Sequence, residues 1–381
     1  IGMFYVANWG WHAKSQYGAE WLESVLLIVE PWRMPAIWLI SGIAIRFILA
    51  KVSLLRFVSF RSLRLLLPLL FGVLVVVPPQ LYVEMSSKGE INMGFWQFMQ
   101  AFYESDHPIF EKYTWGIWPH IDVNHLWYLR SLWYYSLSLI ILLPVLNSQL
   151  VTRLVNWVTA RPAWLAISIL CLPVVMIESF WEFSSSRYPI GFLFLLLGYL
   201  IGWQPILWDK LKQSLRSLCI AYLMVLTLLL LGYNLFWIDV IQGGQASLPQ
   251  TIFVQLVYSM ARVLGLLMVL AFAVRFLSVK SASLTYFNDA VYPFYILHQT
   301  LILVAGFYLS KLVLSPFSEV VLVSLFTIGG CFVLFEIIRR VDLLRPLFGL
   351  KVTKQYDPVV NRFGYAMGAV LAVPLALKLL L

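Results

Sequence analysis

The sequence predicts an all-α fold: a polytopic membrane bundle of about ten transmembrane helices. Of its 381 residues, 61% are hydrophobic and 12% are charged, and the mean hydropathy is +0.84. Soluble domains carry about 25% charged residues, so this chain has too little charge to cover a water-exposed surface. Long apolar runs recur along the chain, and basic and non-basic connections alternate between them. These observations exclude a soluble globular enzyme, a disordered protein and a disulfide scaffold.

The apolar runs predict the membrane helices one by one. A span needs about 20 residues, because the hydrocarbon core is about 30 Å thick and a helix rises about 1.5 Å per residue. The runs are continuous rather than alternating in polarity, which excludes a membrane β-barrel. The predicted spans are residues 31–50, 65–83, 131–152, 162–177, 188–208, 217–238, 249–278, 290–310 and 320–335, with 363–381 as a tenth candidate.

The connections between the spans predict the orientation of the chain. Eighteen of the 27 basic residues fall in alternate connections, and the positive-inside rule places those connections in the cytoplasm. The connection at residues 84–124 then faces outward. It contains an aromatic piece, residues 95–103, which we predict to be helical, as an interfacial helix or as part of a functional loop. The net charge of +9 is mainly a topology signal, and no nucleic-acid partner is expected.

Seven ionisable residues fall inside the predicted spans or at their ends. Such residues are costly in a membrane and are usually paired or functional. They are Glu30, Arg33, His125, Arg130, Glu178, Arg262 and His298. Together they suggest a polar cavity that is open to the outside.

Several of these residues have a structural and a functional interpretation. Glu30 and Arg33 share a helix face, either as a local ion pair or as a substrate anchor. His125 lies at the predicted outer boundary, either as an interfacial side chain or as a group that moves protons near neutral pH. His298 lies about two turns inside its span, in the cytoplasmic half, and could equally be a buried histidine bonded to a backbone carbonyl.

Two further groups have the composition of ligand sites. The first, His120 and Asp122 with His125, has the spacing of metal ligands, but no fourth ligand is obvious and we expect no metal. The second, the arginine cluster, consists of Arg56, Arg61 and Arg64. It either sets the topology alone or binds phosphate on the cytoplasmic side, because arginine forks match phosphate oxygens.

Four motifs, by their order and spacing, resemble the membrane-bound acyltransferase family 3. They are residues 33–42, which end in Ser-Gly; residues 60–68, an arginine cluster before a proline; residues 125–129 (HLWYL); and residues 292–299 (YPFYILHQ). The family includes sugar O-acetyltransferases and periplasmic-glucan succinyltransferases. The resemblance extends over residues 20–340.

The resemblance implies ten core helices and transfer of an acyl group, of acetyl or succinyl type, from cytoplasmic acyl-CoA to a hydroxyl of an extracytoplasmic carbohydrate. Acyl-CoA is a substrate in this scheme, no cofactor is permanently bound, and the other partners are a glycan acceptor and a lipid bilayer, which we expect to be a bacterial cytoplasmic membrane. The candidate site residues are His125, His298, Arg130 and Arg33 for catalysis; Arg56, Arg61 and Arg64 for acyl-CoA; and Glu30, Trp127, Glu178, Arg262 and Tyr295 for substrate.

The beginning of the chain departs from the family pattern. The family's first helix carries an arginine and, near its outer end, a histidine proposed as catalytic. The residues that follow Ile1 do not supply that helix, and His12, in a polar stretch, is a poor match. We expect the catalytic histidine just before Ile1, a membrane domain over residues 1–345 that is incomplete at its N-terminus, and a cytoplasmic linker with an extra helix over residues 346–381.

Two other classes of function fit some of these features. Intramembrane Arg and His residues and proline-broken helices also suit a transporter or flippase for a small polar or lipid-linked substrate, although no inverted repeat is visible. A non-catalytic membrane scaffold is the third interpretation. Under the acyltransferase interpretation, aromatic rings of the outward loop are candidates for stacking against carbohydrate, namely Trp96, Trp115 and Trp118.

Overall fold

The computed structural model is helical along most of its described residues, which are 1–104, 107–113, 120–181, 183–279, 281–351, 362 and 366. The helices are α1 (Gly2–Tyr5), α2 (Trp21–Leu27), α3 (Glu30–Leu49), α4 (Leu54–Phe71), α5 (Pro78–Ser87), α6 (Phe95–Phe102), α7 (Trp127–Leu146), α8 (Gln149–Ala160), α9 (Ala163–Phe180), α10 (Phe183–Ile201), α11 (Pro205–Gly232), α12 (Ile238–Ile241), α13 (Leu248–Phe276), α14 (Ala282–Leu309), α15 (Pro316–Ile338) and α16 (Leu344–Leu347). Two π-helical turns, Gly72–Val76 and Tyr233–Trp237, join α4 to α5 and α11 to α12. The all-α prediction is confirmed.

Eight helical stretches are long and apolar enough to cross a membrane. They are Trp21–Leu49, Leu54–Ser87, Asn124–Leu146, Ala163–Phe180, Pro205–Ile241, Leu248–Phe276, Ser283–Leu309 and Pro316–Ile338. A ninth apolar helix, Ser185–Ile201, is shorter. Each of the first nine predicted spans therefore has a helical counterpart, and the chain is a multi-pass membrane protein. The tenth candidate, residues 363–381, lies outside the described residues apart from residue 366.

Two helices differ from the predicted spans at their ends. The span predicted over residues 131–152 stops at Leu146, because the Ser148 side chain accepts a hydrogen bond from the Val151 amide and starts α8 instead. In the other direction, α14 begins at Ala282, eight residues before the predicted start, with Ser281 as its N-cap. Polar residues at that end are helical although the hydropathy pattern excludes them from the span.

The chain divides into two compact units. Unit 1 comprises Ile1–Ala19, Leu55–Tyr134 and Ser281–Leu381, and unit 2 comprises Glu20–Leu54 and Tyr135–Lys280. Within unit 1, α14 packs against α5 and α15. Within unit 2, α3 packs against α10 and α13, and α13 packs against α9 and α11.

Two glycines allow α3 and α10 to approach closely in unit 2. A Cβ at Gly42 would lie 1.9 Å from the Leu195 carbonyl oxygen, and one at Gly198 would lie 2.0 Å from the Leu39 carbonyl oxygen. Membrane helices associate through small residues of this kind, since there is little hydrophobic drive between them. The Ser-Gly that ends the first family-like motif is therefore part of a helix crossing.

The helix predicted in the loop of residues 84–124 is also confirmed, as α6. It packs Phe98, Ala101 and Phe102 against Met85 of α5 and against Phe110, and all five side chains are buried. This small core belongs to unit 1 and gives the loop a fixed shape. The loop can therefore form one wall of a site.

Candidate functional site

Five polar side chains of unit 1 are joined by hydrogen bonds, and a sixth, His298, contacts one of them through its ring. This polar cluster comprises Gln80, Asn124, His125, Gln299, Thr300 and His298. Gln80 is fully buried, and His125 is 8% exposed. Buried polar groups must pair with one another, so the hydrogen bonds of the cluster define which atoms donate and which accept.

The hydrogen bonds assign the tautomer of His125. Its Nε2 lies 2.9 Å from the Ile296 carbonyl oxygen, which can only accept, so Nε2 carries the proton. Its Nδ1 then accepts from the Gln80 amide nitrogen, 3.2 Å away. The Gln80 amide nitrogen also donates to the Thr300 hydroxyl at 2.6 Å, and that hydroxyl donates to the Val76 carbonyl. His125 is a neutral imidazole whose two nitrogens are both engaged.

His298 lies beside His125 and has the opposite tautomer. Its Nδ1 is 2.8 Å from the Tyr295 carbonyl oxygen and 3.2 Å from the Phe294 carbonyl oxygen, so Nδ1 donates. In the neutral ring, Nε2 then carries the lone pair. The two histidine rings meet edge to face with centroids 5.7 Å apart. His298 can therefore accept a proton while it keeps its backbone hydrogen bonds.

This pairing differs from the placement predicted for the two histidines. The sequence puts His125 at the outer boundary and His298 in the cytoplasmic half of its span. α14 begins at Ala282, so His298 lies about 24 Å along that helix. The two rings are neighbours because α14 packs against the turn that carries His125, which bonds to the Ile296 carbonyl and accepts from Tyr295.

The arginine cluster lies on α4, and its last member is tied to α14 and to the segment after α16. The Nε of Arg64 donates to the Gly349 carbonyl at 3.2 Å, and the Tyr292 hydroxyl donates to the Arg64 carbonyl at 2.8 Å. Arg61 is close enough to Tyr292 for the two side chains to interact electrostatically. Arg56 is exposed. The arginine cluster thus gives a positive charge to the region of unit 1 around Tyr292 and Gly349.

Helix α14 connects the arginine cluster to the polar cluster. Tyr292 contacts the arginine cluster, and three residues later the Tyr295 hydroxyl donates to the His125 carbonyl at 2.5 Å. Gln299 then donates to the Asn124 side chain at 3.0 Å. The eight residues from Tyr292 to Gln299, seven steps of about 1.5 Å, cover about 10 Å of the helix. A cationic end and a hydrogen-bonding end are therefore held close together by one rigid element.

A cavity of about 420 Å³ lies next to the polar cluster, and we call it the loop cavity. Its lining comprises His12, Val77, Leu81, Glu84, Lys88, Glu90, Phe102, Lys112, Tyr113, His120, Asp122 and Asn124. Asn124 also belongs to the polar cluster, so the two features are contiguous. A cavity of this volume is in the range that binds small molecules or single units of a polymer.

His12 enters the loop cavity from the N-terminal segment. Its Nδ1 lies 2.5 Å from one carboxylate oxygen of Glu84, and the other oxygen lies 2.5 Å from the Lys88 ammonium. A bridge between Val6 and Ala19 closes the segment into a loop that holds His12 in place. A carboxylate on one ring nitrogen orients an imidazole and presents the other nitrogen to a ligand.

The opposite wall of the loop cavity is aromatic. His120 stacks on Phe110 with ring centroids 4.1 Å apart, and its Nε2 is 2.6 Å from the Phe102 carbonyl oxygen. His120 is 5% exposed, and its Nδ1 has no hydrogen-bond partner among the described residues. His125 bonds to a different carbonyl, so the metal-like spacing of His120, Asp122 and His125 does not bring these side chains together as a ligand set in the part of the chain that the structure describes.

Tyr113 completes the lining with a polar edge. Its hydroxyl donates to Glu90 at 2.6 Å, and the Lys88 ammonium lies 5.8 Å from the centre of its ring. Partial burial and the hydrogen bond to Glu90 raise the pKa of Tyr113. It therefore remains a hydrogen-bond donor at neutral pH. Trp96 is 78% exposed and is not part of the lining, and Trp115 and Trp118 lie outside the described residues.

Three charged residues predicted for the site lie in unit 2 and belong to a second cluster. This ion-pair cluster comprises Glu30, Glu178, Tyr258, Ser259 and Arg262. Arg262 forms a salt bridge with Glu178, which also accepts a hydrogen bond from Ser259, and Tyr258 donates to Glu30. The guanidinium of Arg262 lies 4.8 Å from the centre of the Tyr258 ring. These groups satisfy one another inside the helix packing.

Of the other predicted site residues, two lie on α7 and one lies on α3. Trp127 begins α7 and is half-buried, and Arg130 is half-buried one turn later. Arg33 is exposed on α3, and Glu30 pairs with Tyr258. Their roles in substrate binding and catalysis stay predictions.

Four important residues carry weak sequence signals. Gln80, Gln299 and Thr300 are uncharged, so a search for ionisable residues in the spans passes over them. His12 lies in a polar stretch, and its contact with Glu84 joins residues 72 positions apart. A glutamine within an otherwise apolar run is the sequence signal that would identify Gln80 and Gln299.

Comparison with known proteins identifies the family of the chain. The chain matches the family described as "Acyltransferase domain" over residues 3–336, which is nearly its whole length. It is 24% identical to "Glucans biosynthesis protein C" of Escherichia coli (strain K12) over 370 residues, which cover 92% of this chain and 89% of that protein. The protein of the same name from Escherichia coli (strain SMS-3-5 / SECEC) gives the same identity and coverage. No solved structure matches the chain.

The match to the family extends over α4, which carries the arginine cluster, and over α5, the turn at Asn124–Leu126 and α14, which carry the polar cluster. The predicted resemblance is therefore confirmed, and the membrane helices and the enzymatic assignment agree with it. The chain belongs to acyltransferase family 3 and is a multi-pass membrane acyltransferase.

Proposed function

We propose that this protein transfers an acyl group from cytoplasmic acyl-CoA to a hydroxyl of an extracytoplasmic glycan, in the cytoplasmic membrane of a bacterium. The observation that carries the proposal is the arrangement along α14. This helix contacts the arginine cluster of α4 through Tyr292, and about 10 Å further on it contributes residues to the histidine-containing polar cluster, which is contiguous with a cavity. The name of the similar Escherichia coli protein, which refers to the biosynthesis of glucans, supports the choice of acceptor.

The arginine cluster is the part of unit 1 that suits the phosphates of acyl-CoA. Guanidinium groups bind phosphate oxygens in bidentate geometry. Arg64 is exposed although it is anchored by its Nε to Gly349, and Arg56 is exposed as well. The donor would then place its thioester toward Tyr295 and the polar cluster. The type of acyl group, acetyl or succinyl, belongs to this proposal as an expectation.

The chemistry requires a base and a stabilised oxyanion. The acceptor oxygen forms a bond to the thioester carbonyl carbon, the carbon–sulfur bond breaks, and the hydroxyl proton passes through the base to the departing thiolate. We assign His298 the proton-accepting role. The Nε2–H of His125 and the Gln80 amide hold the site together. Arg130, half-buried on α7, is the candidate donor to the oxyanion.

The test is label transfer across a membrane. The full-length protein is reconstituted in sealed vesicles with radiolabelled acetyl-CoA or succinyl-CoA on the face that carries the arginine cluster, and gluco-oligosaccharides are supplied on the other face. We expect covalent label on the oligosaccharide and one free CoA thiol for each acyl group transferred. Movement of unmodified oligosaccharide without label transfer would contradict the proposal and would favour a transporter.

A further inference from the structure

The charge of the loop cavity is nearly balanced. Its lining contains three carboxylates and two ammonium groups, with two histidines and one amide between them. Glu84 is neutralised by Lys88 and bonded to His12, and Glu90 is bonded to Tyr113. Such a lining has no net attraction for an anion. It offers instead many donors and acceptors at short spacing.

We propose that the loop cavity binds one or two neutral sugar units of the acceptor glycan, next to the unit that is acylated. This inference rests on the proposed function and names the site at which its acceptor binds. Carboxylate, imidazole and amide groups suit hydroxyl ligands, because each hydroxyl can donate to one of them and accept from another. Phosphate-bearing acyl-CoA fits the arginine cluster, on the other side of the polar cluster.

His12 and Glu84 supply one side of this binding site. The carboxylate fixes the imidazole through Nδ1, so Nε2 is the atom that meets a sugar hydroxyl. His12 is about a quarter exposed, so it remains accessible from the cavity. Glu84 acts here through His12 and is a positioning residue.

The aromatic wall supplies the other side. His120 lines the cavity and has a buried Nδ1 without a hydrogen-bond partner among the described residues, which is costly unless a ligand or water satisfies it. The rings of Phe102 and Tyr113 can cover the apolar C–H faces of a sugar. Met85, Phe98 and Phe110 hold this wall rigid. Pre-organised walls reduce the entropy cost of binding a flexible glycan.

The loop cavity lies next to the polar cluster, and this position suits a binding site for the acceptor. Asn124 lies in the cavity wall and accepts a hydrogen bond from Gln299, the residue that follows His298. A glycan held in the cavity therefore ends beside the proton-accepting histidine. In this proposal the cavity binds and orients the acceptor, while His298 of the polar cluster accepts the proton during acyl transfer.

The experiment measures oligosaccharide binding and acyl transfer on the same variants. Cellotetraose, laminaritetraose and maltotetraose are titrated calorimetrically into the full-length protein in lipid nanodiscs, without acyl-CoA. We expect at least one of them to bind, and we expect His12→Asn and Lys112→Met to weaken binding at least fivefold. In the transfer assay the same variants raise the KM for the acceptor at least fivefold and leave the KM for acyl-CoA unchanged.

His107→Asn is the matched control. His107 lies on the same loop, outside the cavity lining, and caps a helical turn by accepting from the Ile109 amide, which asparagine can also do. Binding and transfer should equal those of the wild type. Lys112 is exposed, so Lys112→Met tests the cavity even if His12→Asn lowers the yield of folded protein.

The outcomes separate this inference from the proposed function. Transfer activity with wild-type acceptor KM in both cavity variants overturns the cavity assignment and leaves the function standing. If the wild-type protein binds oligosaccharide, both variants lose that binding and no acyl transfer is detected, the cavity assignment stands and the proposed function is overturned. Failure of all three oligosaccharides to bind at millimolar concentration, or their displacement by CoA alone, overturns the cavity assignment.

Discussion

Unit 1 and unit 2 both place polar side chains among apolar helices, but they do so in different ways. In unit 2 the ion-pair cluster joins a guanidinium to a carboxylate, with a serine and a tyrosine completing the bonds. In unit 1 the polar cluster is built from amides, hydroxyls and neutral imidazoles, and it is contiguous with a cavity. One cluster is closed on itself, and the other leads to a space that a ligand can fill.

The difference indicates separate roles for the two clusters. A buried ion pair costs several kcal/mol of desolvation for each ion, and it survives only where its partners compensate one another. Such a pair positions helices but is poorly suited to exchange partners with a substrate. Neutral hydrogen bonds can be exchanged for bonds to substrate at lower cost. We therefore assign catalysis to unit 1 and a structural role to Glu178 and Arg262.

The largest expected effect comes from breaking the ion pair. Arg262→Met leaves the Glu178 carboxylate buried without its guanidinium, which typically costs about 3–5 kcal/mol. We expect the melting temperature of the purified protein to fall by roughly 5 °C. Thermal unfolding followed by circular dichroism measures it.

The double variant Glu178→Gln, Arg262→Met is the control for that prediction. It removes both charges, while the amide oxygen of the introduced glutamine would still accept from Ser259. We expect it to recover most of the lost stability and to retain acyl transfer per folded molecule. Loss of transfer in a well-folded double variant would return these residues to the list of substrate-binding candidates.

The second-largest effect is expected from removing hydrogen bonds inside the polar cluster. Gln80→Leu removes the donor to His125 and to Thr300 and the acceptor for Gln299. Unsatisfied buried groups cost about 1–3 kcal/mol, and because each 1.36 kcal/mol is a factor of ten, we expect the transfer rate to fall roughly 10- to 100-fold. Initial rates of label transfer under saturating donor and acceptor measure it.

Gln255→Leu is the matched control, because Gln255 makes one hydrogen bond in unit 2, to the Glu178 carbonyl. The same chemical change there should leave the transfer rate within about twofold of wild type, since it corresponds to at most a few tenths of a kcal/mol in the barrier. Equal losses in the two variants would show that the two clusters do not differ in role.

The smallest effect is expected for Glu30→Gln. The Gln side chain still accepts from the Tyr258 hydroxyl, so the ion-pair cluster keeps this hydrogen bond while one charge is removed. We expect a stability change under about 1 kcal/mol and a transfer rate within about twofold of wild type. A large rise in the KM of either substrate would instead support Glu30 as a substrate anchor, as the sequence alone suggests.

The sequence predicts the spans well because hydropathy and charge alternation report directly on the membrane. The family resemblance and the loop helix also follow from local patterns. The grouping of the charged residues does not. Glu30 pairs with Tyr258, 228 positions away, rather than with Arg33 on its own helix. Only helix packing decides between those partners.

The loop cavity is the part least accessible to sequence reasoning. Its two walls come from the N-terminal segment and from residues 77–124, and its central contact joins His12 to Glu84. The sequence points to tryptophans as carbohydrate-stacking rings, and the structure adds Phe102 and Tyr113, which line the cavity. The extended start of α14 is a similar case, since a serine cap rather than hydropathy determines where the helix begins.

The most direct test of the division of roles compares His298→Gln with the double variant Glu178→Gln, Arg262→Met in one label-transfer assay, each normalised to folded protein. We predict that His298→Gln lowers the rate by about 100-fold or more at an unchanged melting temperature, because it removes the proton acceptor. The double variant should retain a rate close to wild type. Near-normal transfer by His298→Gln, together with an inactive but folded double variant, would contradict the account.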